Sequence, residues 1–197
     1  MKSTIKLAAL APALLLGGCL SFGGEAPDSL LTLTPTATVP AGAGAPMSQS
    51  NAIALVEFGS TKAIDVTRVP VQVTDTELAY LQDAVWVDRP ARLFGQLVAE
   101  TIRSRTGRMV VDGDDPGVGA IDRLHGTLRS FGYDARSRDV VVVFDAVRNG
   151  ASSNVTTRRF ESRVPVAAPE TAFVGPTLNQ AANDVAAQIA DWVGQGA

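Results

Sequence analysis

Cys19 is the only cysteine in the 197-residue chain, and it directly follows two glycines and a short apolar stretch, residues 7–16. Lysines precede that stretch, so the order is a charged region, an apolar region and a small-residue cleavage site. The stretch is too short to cross a bilayer, which requires about 20 residues. This order is typical of a bacterial lipoprotein signal, in which the thiol receives a diacylglyceryl group and becomes the first residue after cleavage. We therefore predict a signal peptide over residues 1–18, lipidation at Cys19 and a tether over residues 19–28.

Acylation of Cys19 has consequences for the compartment in which the protein acts. A free thiol is a liability in an oxidising compartment, and acylation removes it. Each buried methylene contributes about 0.8 kcal/mol, so two or three acyl chains hold a protein at a membrane without a spanning helix. Leu20 follows the cysteine, whereas aspartate at that position retains many enterobacterial lipoproteins at the inner membrane. We expect the periplasmic face of the outer membrane, with inner-membrane anchoring as the alternative.

Side chains suited to catalysis are scarce elsewhere in the chain. His125 is the only histidine, so a histidine-rich metal site is excluded and a Ser/His/Asp triad would have to use this residue. It stands in an apparent strand beside Gly126 and Thr127, and no Gly-x-Ser-x-Gly elbow is present. We expect a structural role for His125 and predict no catalytic residue. A divergent periplasmic hydrolase built around His125 is the enzymatic alternative.

The segment 112–119 contains three aspartates and three glycines, a composition found in calcium and phosphate loops. An EF-hand loop would need a glutamate at its twelfth position, but residue 123 is arginine. The glycines do not lead from a strand into a helix with phosphate-loop spacing. We expect a solvated turn here, and we predict neither a metal site nor a cofactor.

The charge balance also narrows the range of partners. The chain has 17 basic and 20 acidic residues, a net charge of −3, and signal cleavage would remove two of the lysines. Because no block of basic residues is present, nucleic acid is not an expected partner. With its one cysteine acylated, the protein cannot form an internal disulfide. We expect residues 29–197 to form a single domain that is stabilised by its core.

Apolar and β-branched runs predict the strands that must position any functional surface. We expect strands at 30–34, 52–58, 64–73, 84–87 and 109–111, with a mobile loop over 35–50 and either a helical turn or a bent strand over 74–82. Pro70 should place the third of these strands at an edge or a bend. Runs at 123–131, 139–148 and 155–164 predict an antiparallel meander. In the middle run Val140, Val142, Phe144 and Ala146 share one face, and Asp145 points to the other.

Two segments have the 3.6-residue periodicity of amphipathic helices. The first begins with Asp88 as N-cap and Pro90 in its first turn, and it ends at Gly107. The second begins after Gly175 and Pro176 and ends at Gly194. The apolar faces consist of Leu93, Phe94, Leu97, Val98 and Ile102 in the first helix, and of Leu178, Ala182, Val185, Ile189, Trp192 and Val193 in the second. The predicted fold class is α+β: a mainly antiparallel sheet of about five or six strands with both helices packed on one face.

Two aromatic residues are candidates for partner contact. Tyr80 and Trp86 stand out because the chain has only two tyrosines and two tryptophans. Aromatic side chains contact lipids or partners in some proteins, but they are more often core anchors. We predict a core role and keep partner contact as the alternative.

At this point the sequence resembles a known family, the ABC-type transport auxiliary lipoproteins, which include the PqiC-like proteins of intermembrane transport. The early strand of that family matches residues 31–35. Its central tyrosine, spacer, tryptophan and following helix match Tyr80, Trp86 and residues 88–102. Its later strand and closing helix match residues 160–164 and 177–193. The chain differs from the family in the threonine that replaces a common tyrosine of the early strand, and in the long loop that follows.

The resemblance implies a non-enzymatic subunit of a system that moves phospholipids or related lipids between membranes. It also implies the partners, an MCE-type substrate-binding protein and an ABC permease complex, together with a membrane contact through the lipid anchor. Self-association into a homo-oligomer and direct lipid carriage stay open. The remaining alternative is a lipoprotein that assists assembly of an outer-membrane barrel or braces the envelope.

Overall fold

The computed structural model of the chain describes residues 29–44, 51–113, 122–150 and 154–195. The predicted signal peptide, Cys19, the tether and most of the segment 112–119 lie outside the described residues. Among the described helices, none is long and apolar enough to span a membrane.

The described residues form eight strands and two helices. In chain order these are β1 (Ala52–Leu55), β2 (Gly59–Ser60), β3 (Arg68–Gln72), β4 (Leu78–Val85), α1 (Pro90–Thr106), β5 (Met109–Asp112), β6 (Asp122–Asp134), β7 (Asp139–Asn149), β8 (Val155–Pro165) and α2 (Thr171–Gly194). The α+β class and the two helices are confirmed, but the sheet has more strands than the five or six predicted. The predicted strand 52–58 ends at Leu55 as β1, and one of the additional strands is the two-residue β2, which begins just beyond the predicted range.

The sheet is organised around β6, whose two edges are paired differently. Along one edge β7 pairs antiparallel over the whole length of β6, and β8 pairs antiparallel with β7. This is the predicted meander. Along the other edge β1, β2 and β3 each pair in parallel with successive stretches of β6. β5 extends the sheet beside β1 in parallel, and β4 extends it beside β3 antiparallel, so the sheet is mixed.

The region from residue 62 to residue 85 differs from its predicted boundaries. Residues 62–67 form turns and bends, so the extended segment predicted from residue 64 begins only at β3. Pro70 does not lie on an edge strand, because β3 is between β4 and β6; the ladder shifts register between Arg68 and Pro70. A bulge accommodates a proline inside a sheet because the ladder is interrupted there. The undecided segment 74–82 supplies the first part of β4, and Trp86 follows as an isolated bridge.

The first helix begins one residue later than predicted. Arg89 has the extended backbone of an N-cap, and Pro90 is the first helical residue. Asp88 lies one position before the cap, where its Oδ1 accepts a hydrogen bond of 2.7 Å from the Arg89 backbone amide. The predicted end of the helix is confirmed: Gly107 has φ 66° and donates its N–H to the Arg103 carbonyl, the left-handed C-terminal geometry that glycine favours.

The second helix begins at Thr171, so the prediction that it starts after Pro176 is wrong. Proline has no N–H, and at this position it removes the one intrahelical bond that would go to the Ala172 carbonyl. The next turn is reinforced by the Thr177 hydroxyl, which donates to the Phe173 carbonyl at 2.7 Å. The helix therefore continues through the proline.

Both helices pack on one face of the sheet, as predicted. The alternation in β7 directs Val140, Val142, Phe144 and Ala146 toward the helices, and all four are buried. Phe144 lies at the centre of an aromatic cluster, with its ring 4.5 Å from Phe58 and 5.3 Å from Phe94 between centroids. We call the opposite face of β6, β7 and β8 the outer face.

Residues 29–44 form the N-terminal strap, which contacts the helices as far as Val39. The strap begins with Leu31, whose backbone bonds to the Val85 carbonyl and the Val87 amide and forms a single bridge with Trp86. The predicted strand 30–34 is reduced to this bridge. Leu31 packs so closely on α2 that a Cβ at Gly175 would lie 2.8 Å from its Cδ2.

The strap then passes over the two helices, and side chains of both helices hold it by hydrogen bonds. The buried amide of Asn183 accepts from the Thr36 backbone N–H at 2.9 Å and donates to the Thr34 carbonyl at 3.0 Å. Farther along, the Val39 amide donates to Glu100 Oε1 at 2.8 Å. The part of the predicted mobile loop that the structure describes, residues 35–44, is therefore held against α2 and α1 up to Val39.

Candidate functional site

The two aromatic candidates lie in different environments. Trp86 is 2 % exposed, packs on Phe131 at 5.4 Å between ring centroids, and is part of the core. Tyr80 is half-buried in β4, and its ring lies 4.8 Å from the Arg68 guanidinium carbon, a cation–π distance. Tyr80 is thus the one of the pair that a partner could reach.

His125 lies on the outer face, in β6, opposite Val147 of β7. It is half-buried, and the structure gives it no hydrogen bond within the described part of the chain. No group of three or more histidine, cysteine, aspartate or glutamate residues among the described positions is arranged to hold a metal ion. Among the described residues, therefore, neither a carboxylate nor a hydroxyl group is hydrogen-bonded to His125.

The charged residues of the outer face are instead arginines and carboxylates brought together by strand register. Asp145 of β7 is directly opposite Arg159 of β8. The adjacent pair, Phe144 and Phe160, faces inward. Arg129 sits at the register shift between Leu128 and Ser130 of β6, where the bulge turns its side chain toward Asp145. The prediction that Asp145 points away from the core is confirmed.

Asp145 binds both arginines at once. Its carboxylate accepts from Arg159 Nε at 2.6 Å and Nη2 at 2.9 Å, and from Arg129 Nε at 2.8 Å. The hydrogen bond from Arg159, followed by that from Arg129, outweighs partial desolvation and lowers the pKa of Asp145 to about 2. Asp145 is therefore ionised across the physiological pH range, and it fixes the Nε edge of Arg129.

A second ion pair group stands at the tip of the β6–β7 hairpin. The Arg136 guanidinium donates to both oxygens of Asp134, at 2.9 and 2.7 Å, and also to Asp75 in the β3–β4 turn. The hydrogen bonds from Arg136 lower the pKa of Asp134 to about 2. The contact with Asp75 joins the hairpin to the β3–β4 turn, and all three guanidinium nitrogens of Arg136 donate hydrogen bonds.

These groups border a cavity of about 340 Å³ on the outer face. Its walls come from the segment between β2 and β3, from the β3–β4 turn, and from β6, β7 and β8. The lining residues that define its character are Ile64, Pro70, Leu78, Arg129, Val141 and Arg163. Arginine side chains and an apolar wall thus meet in one concave site, which is the usual composition of a site for a small amphipathic ligand.

Close backbone packing shapes one wall of the cavity. A Cβ at Gly132 would lie 2.2 Å from the Pro70 carbonyl oxygen, so only glycine permits β3 to approach β6 at this point. Gly132 and Pro70 both line the cavity. The shape of the site therefore depends on this glycine.

A separate cluster of charges is buried near the start of β6 and has a structural role. Asp122 accepts from Arg148 at 2.9 and 2.7 Å and from Arg108 at 2.6 Å. Burial opposes its ionisation, but the hydrogen bonds from Arg148 and Arg108 prevail and lower its pKa. Arg108 also donates to the Ala52 carbonyl, and Arg148 to that of Trp192, so the cluster joins β1, β6, β7 and α2.

The arginines of the outer face were not among the residues selected from the sequence. Strand alternation could have placed Arg159 and Arg163 there, because Phe160 between them has the pattern of an inward-facing residue. The position of Arg129 depends on a bulge, and the meeting of Ile64 with Leu78 depends on the irregular segment before β3 and on the start of β4. Neither leaves a periodic signal in the sequence.

A family model matches residues 31–190, and its description is "ABC-type transport auxiliary lipoprotein component". No curated protein matches the chain. The match covers most of the chain and includes the strap from Leu31, α1, the whole described sheet and α2 as far as residue 190.

Several solved structures have a similar fold. Protein XCC0632 from Xanthomonas campestris, described as a DUF330 protein, has a TM-score of 0.69 and 18 % identity; the alignment covers 84 % of this chain and 94 % of that one. An uncharacterised protein has a TM-score of 0.61 and 12 % identity, with 85 % and 98 % coverage. A PelC dodecamer from Paraburkholderia phytofirmans gives 0.44 and 12 % identity, with 74 % and 92 % coverage. At these identities the first two structures support the fold alone.

Proposed function

Since this chain belongs to the family of ABC-type transport auxiliary lipoprotein components, we propose that it is a membrane-anchored periplasmic subunit of an ABC/MCE-type intermembrane lipid transport system. In this role the protein catalyses no reaction. Its α+β domain docks to the MCE-type substrate-binding protein or to the ABC permease, and it supports envelope integrity. The family match over residues 31–190 is the observation that carries the proposal.

The order of anchor and domain in the chain supports this role. Cys19 is ten residues before Ser29, where the strap begins, and a chain of that length spans at most about 35 Å. The strap is hydrogen-bonded to α2 and α1, so the anchor acts on the folded core and not on a loose end. An acylated protein would therefore keep its domain close to one membrane, and the partner has to extend to it.

The membrane we propose is the outer one, because Leu20 rather than aspartate follows Cys19. Fractionation of the acylated protein by density gradient tests this part. Recovery with outer-membrane proteins is expected, and recovery with inner-membrane proteins would move the docking event to the permease side of the envelope.

Affinity purification of the tagged protein from gently solubilised envelopes tests the docking function. We expect an MCE-type protein or an ABC permease or ATPase among the co-purified proteins. The Cys19→Ser variant, which has the same domain, is the matched control for enrichment at the membrane. Recovery of no transport component, under conditions that preserve other envelope complexes, would refute the proposal, and recovery of a barrel protein would favour the assembly role.

A further inference from the structure

The outer-face cavity contains cationic donors that the protein itself does not use. Arg129 contacts Asp145 through Nε, and Arg163 contacts Glu161 through Nε. For both arginines, the terminal amino groups have no hydrogen-bond acceptor within residues 29–44, 51–113, 122–150 and 154–195. Two guanidinium groups are thus held by one edge and present their other edges to the same cavity.

The charges on this side of the cavity favour an anion. Asp145 is shared between Arg129 and Arg159, whereas Glu161 pairs with Arg163, so three cations stand beside two carboxylates. The two carboxylates on the opposite rim are occupied by Arg136. Because the pKa of Asp145 is held at about 2, this balance is constant at neutral pH.

The geometry of the donors favours phosphate over carboxylate. One guanidinium fork satisfies the two oxygens of a carboxylate, whereas a phosphate ester carries further oxygens and can accept from two forks. The apolar side of the cavity, with Ile64, Val141 and the 42 % exposed Leu78, adjoins these donors. An apolar wall next to a phosphate site suits an ester that has a carbon substituent.

We propose that this cavity binds a phosphate-ester anion, with Arg129 and Arg163 as its phosphate ligands and the apolar wall against its organic part. The ester is either the headgroup region of a phospholipid or a small water-soluble phosphate. This goes beyond docking, because it assigns to the domain a ligand of its own. Binding to the purified protein and capture of a transport partner are separate measurements, so either proposal can fail alone.

The test is a titration of the acylated, full-length mature protein in nonionic detergent, followed through the Nε–Hε resonances of its arginines. The probes are inorganic phosphate, glycerol 3-phosphate and dihexanoyl phosphatidylglycerol, with glycerol as the phosphate-free control. Saturable shifts of the Arg129 and Arg163 resonances are expected with the phosphate probes and not with glycerol. Because the readout is specific to the site, partitioning of a probe into micelles does not imitate binding.

Variants then connect the binding to the two arginines. Arg129→Ala and Arg163→Ala should each weaken binding about tenfold or more, because each removes a charge-assisted donor pair. The lysine variants at both positions retain the charge without the fork and should bind more weakly than the wild type but better than the alanine variants. Arg105→Ala, which removes an exposed arginine paired with Asp191 on the helix side, should bind as the wild type does.

The outcomes separate the sources of the ester. Binding of dihexanoyl phosphatidylglycerol and glycerol 3-phosphate, both weakened by the variants, supports the proposal with a lipid headgroup as ligand. Binding of the water-soluble phosphates alone, weakened in the same way, supports it with a soluble phosphate. No saturable shift with any probe, or binding undiminished in both alanine variants, would overturn it.

Discussion

Asn183 connects the N-terminal strap to the second helix, and its replacement by alanine tests how firmly the strap is held. The side chain is buried, and its Oδ1 accepts from the Thr36 amide at 2.9 Å and from the Thr36 hydroxyl at 3.2 Å. Its Nδ2 donates to the carbonyls of Thr34 at 3.0 Å and Asn179 at 2.8 Å. Both the oxygen and the nitrogen of the side-chain amide therefore form hydrogen bonds, and three of the four join it to the strap.

The expected loss of stability follows from these four bonds. A neutral hydrogen bond contributes about 0.5–1.5 kcal/mol net, but water can reach the part-buried strap groups once the amide is gone, which reduces the cost. We expect Asn183→Ala to lower the free energy of unfolding by about 2–3 kcal/mol. For a domain of this size that corresponds to a fall in Tm of roughly 5–10 °C.

The assay combines thermal unfolding with amide hydrogen exchange. In the variant, the Thr36 amide should exchange much faster than in the wild type, whereas amides in the middle of β7 should change only with global stability. Asn179→Ala is the matched control: it removes a single bond, from the Thr34 amide at 2.8 Å, and should cost less than about 1.5 kcal/mol. An Asn183→Ala protein within about 0.5 kcal/mol of the wild type, with the exchange of Thr36 unchanged, would refute this account of the strap.

Two further predictions concern the cavity and its ion pairs. Gly132→Ala places a Cβ 2.2 Å from the Pro70 carbonyl oxygen and should lower the free energy of unfolding by more than about 2 kcal/mol in chemical denaturation. In the control Gly59→Ala, the nearest atoms to the new Cβ are 3.8 Å away, so its stability should differ far less from that of the wild type. Equal stabilities of the two variants would contradict the close packing at Gly132. The pKa values of Asp134 and Asp145 lie at about 2, below the ordinary 3.8, so their contribution to stability is complete above about pH 4 and is lost as pH falls toward 2. Urea unfolding at pH 6, 4 and 2.5 should show that the free energy of unfolding falls mostly below pH 4. The fall should be smaller in a variant with asparagine at both Asp134 and Asp145. An identical pH profile in that variant would argue against the lowered pKa values.

Local patterns in the sequence were enough to predict the helices and the meander. Alternation in residues 139–148 correctly placed Phe144 inward and Asp145 outward, and glycine at position 107 correctly marked the end of the first helix. These features depend on neighbours in sequence, so periodicity and capping residues report them. The start of the second helix was misplaced because Pro176 was interpreted as a boundary, whereas the helix tolerates the loss of one hydrogen bond.

Features that depend on distant pairing were not predictable in the same way. The parallel pairing of β1, β2 and β3 with β6 joins segments far apart in sequence, and β2 is only two residues long. The strap has the composition of a loop, and its position is determined by side chains of α2 and α1 more than 60 residues away. No local rule indicates that Asn183 would accept a hydrogen bond from a backbone amide of the strap.

The candidate site combines both situations. Arg159 and Arg163 follow from strand alternation, but Arg129 reaches Asp145 only because of the bulge beside Ser130. The apolar wall combines Ile64, from the irregular segment before β3, with Leu78 at the start of β4 and Val141 of β7. The cavity was therefore not predicted from the sequence, although its arginines are present there.

Complementation with an unacylated protein tests the central claim, that anchoring and docking together make up the function. Envelope integrity, measured as resistance to detergent, would be compared in cells that lack the native gene and express either the wild type or Cys19→Ser at equal levels of folded protein. The account predicts that both proteins have the same Tm and that only the wild type restores resistance. Full restoration by the soluble Cys19→Ser protein would contradict it.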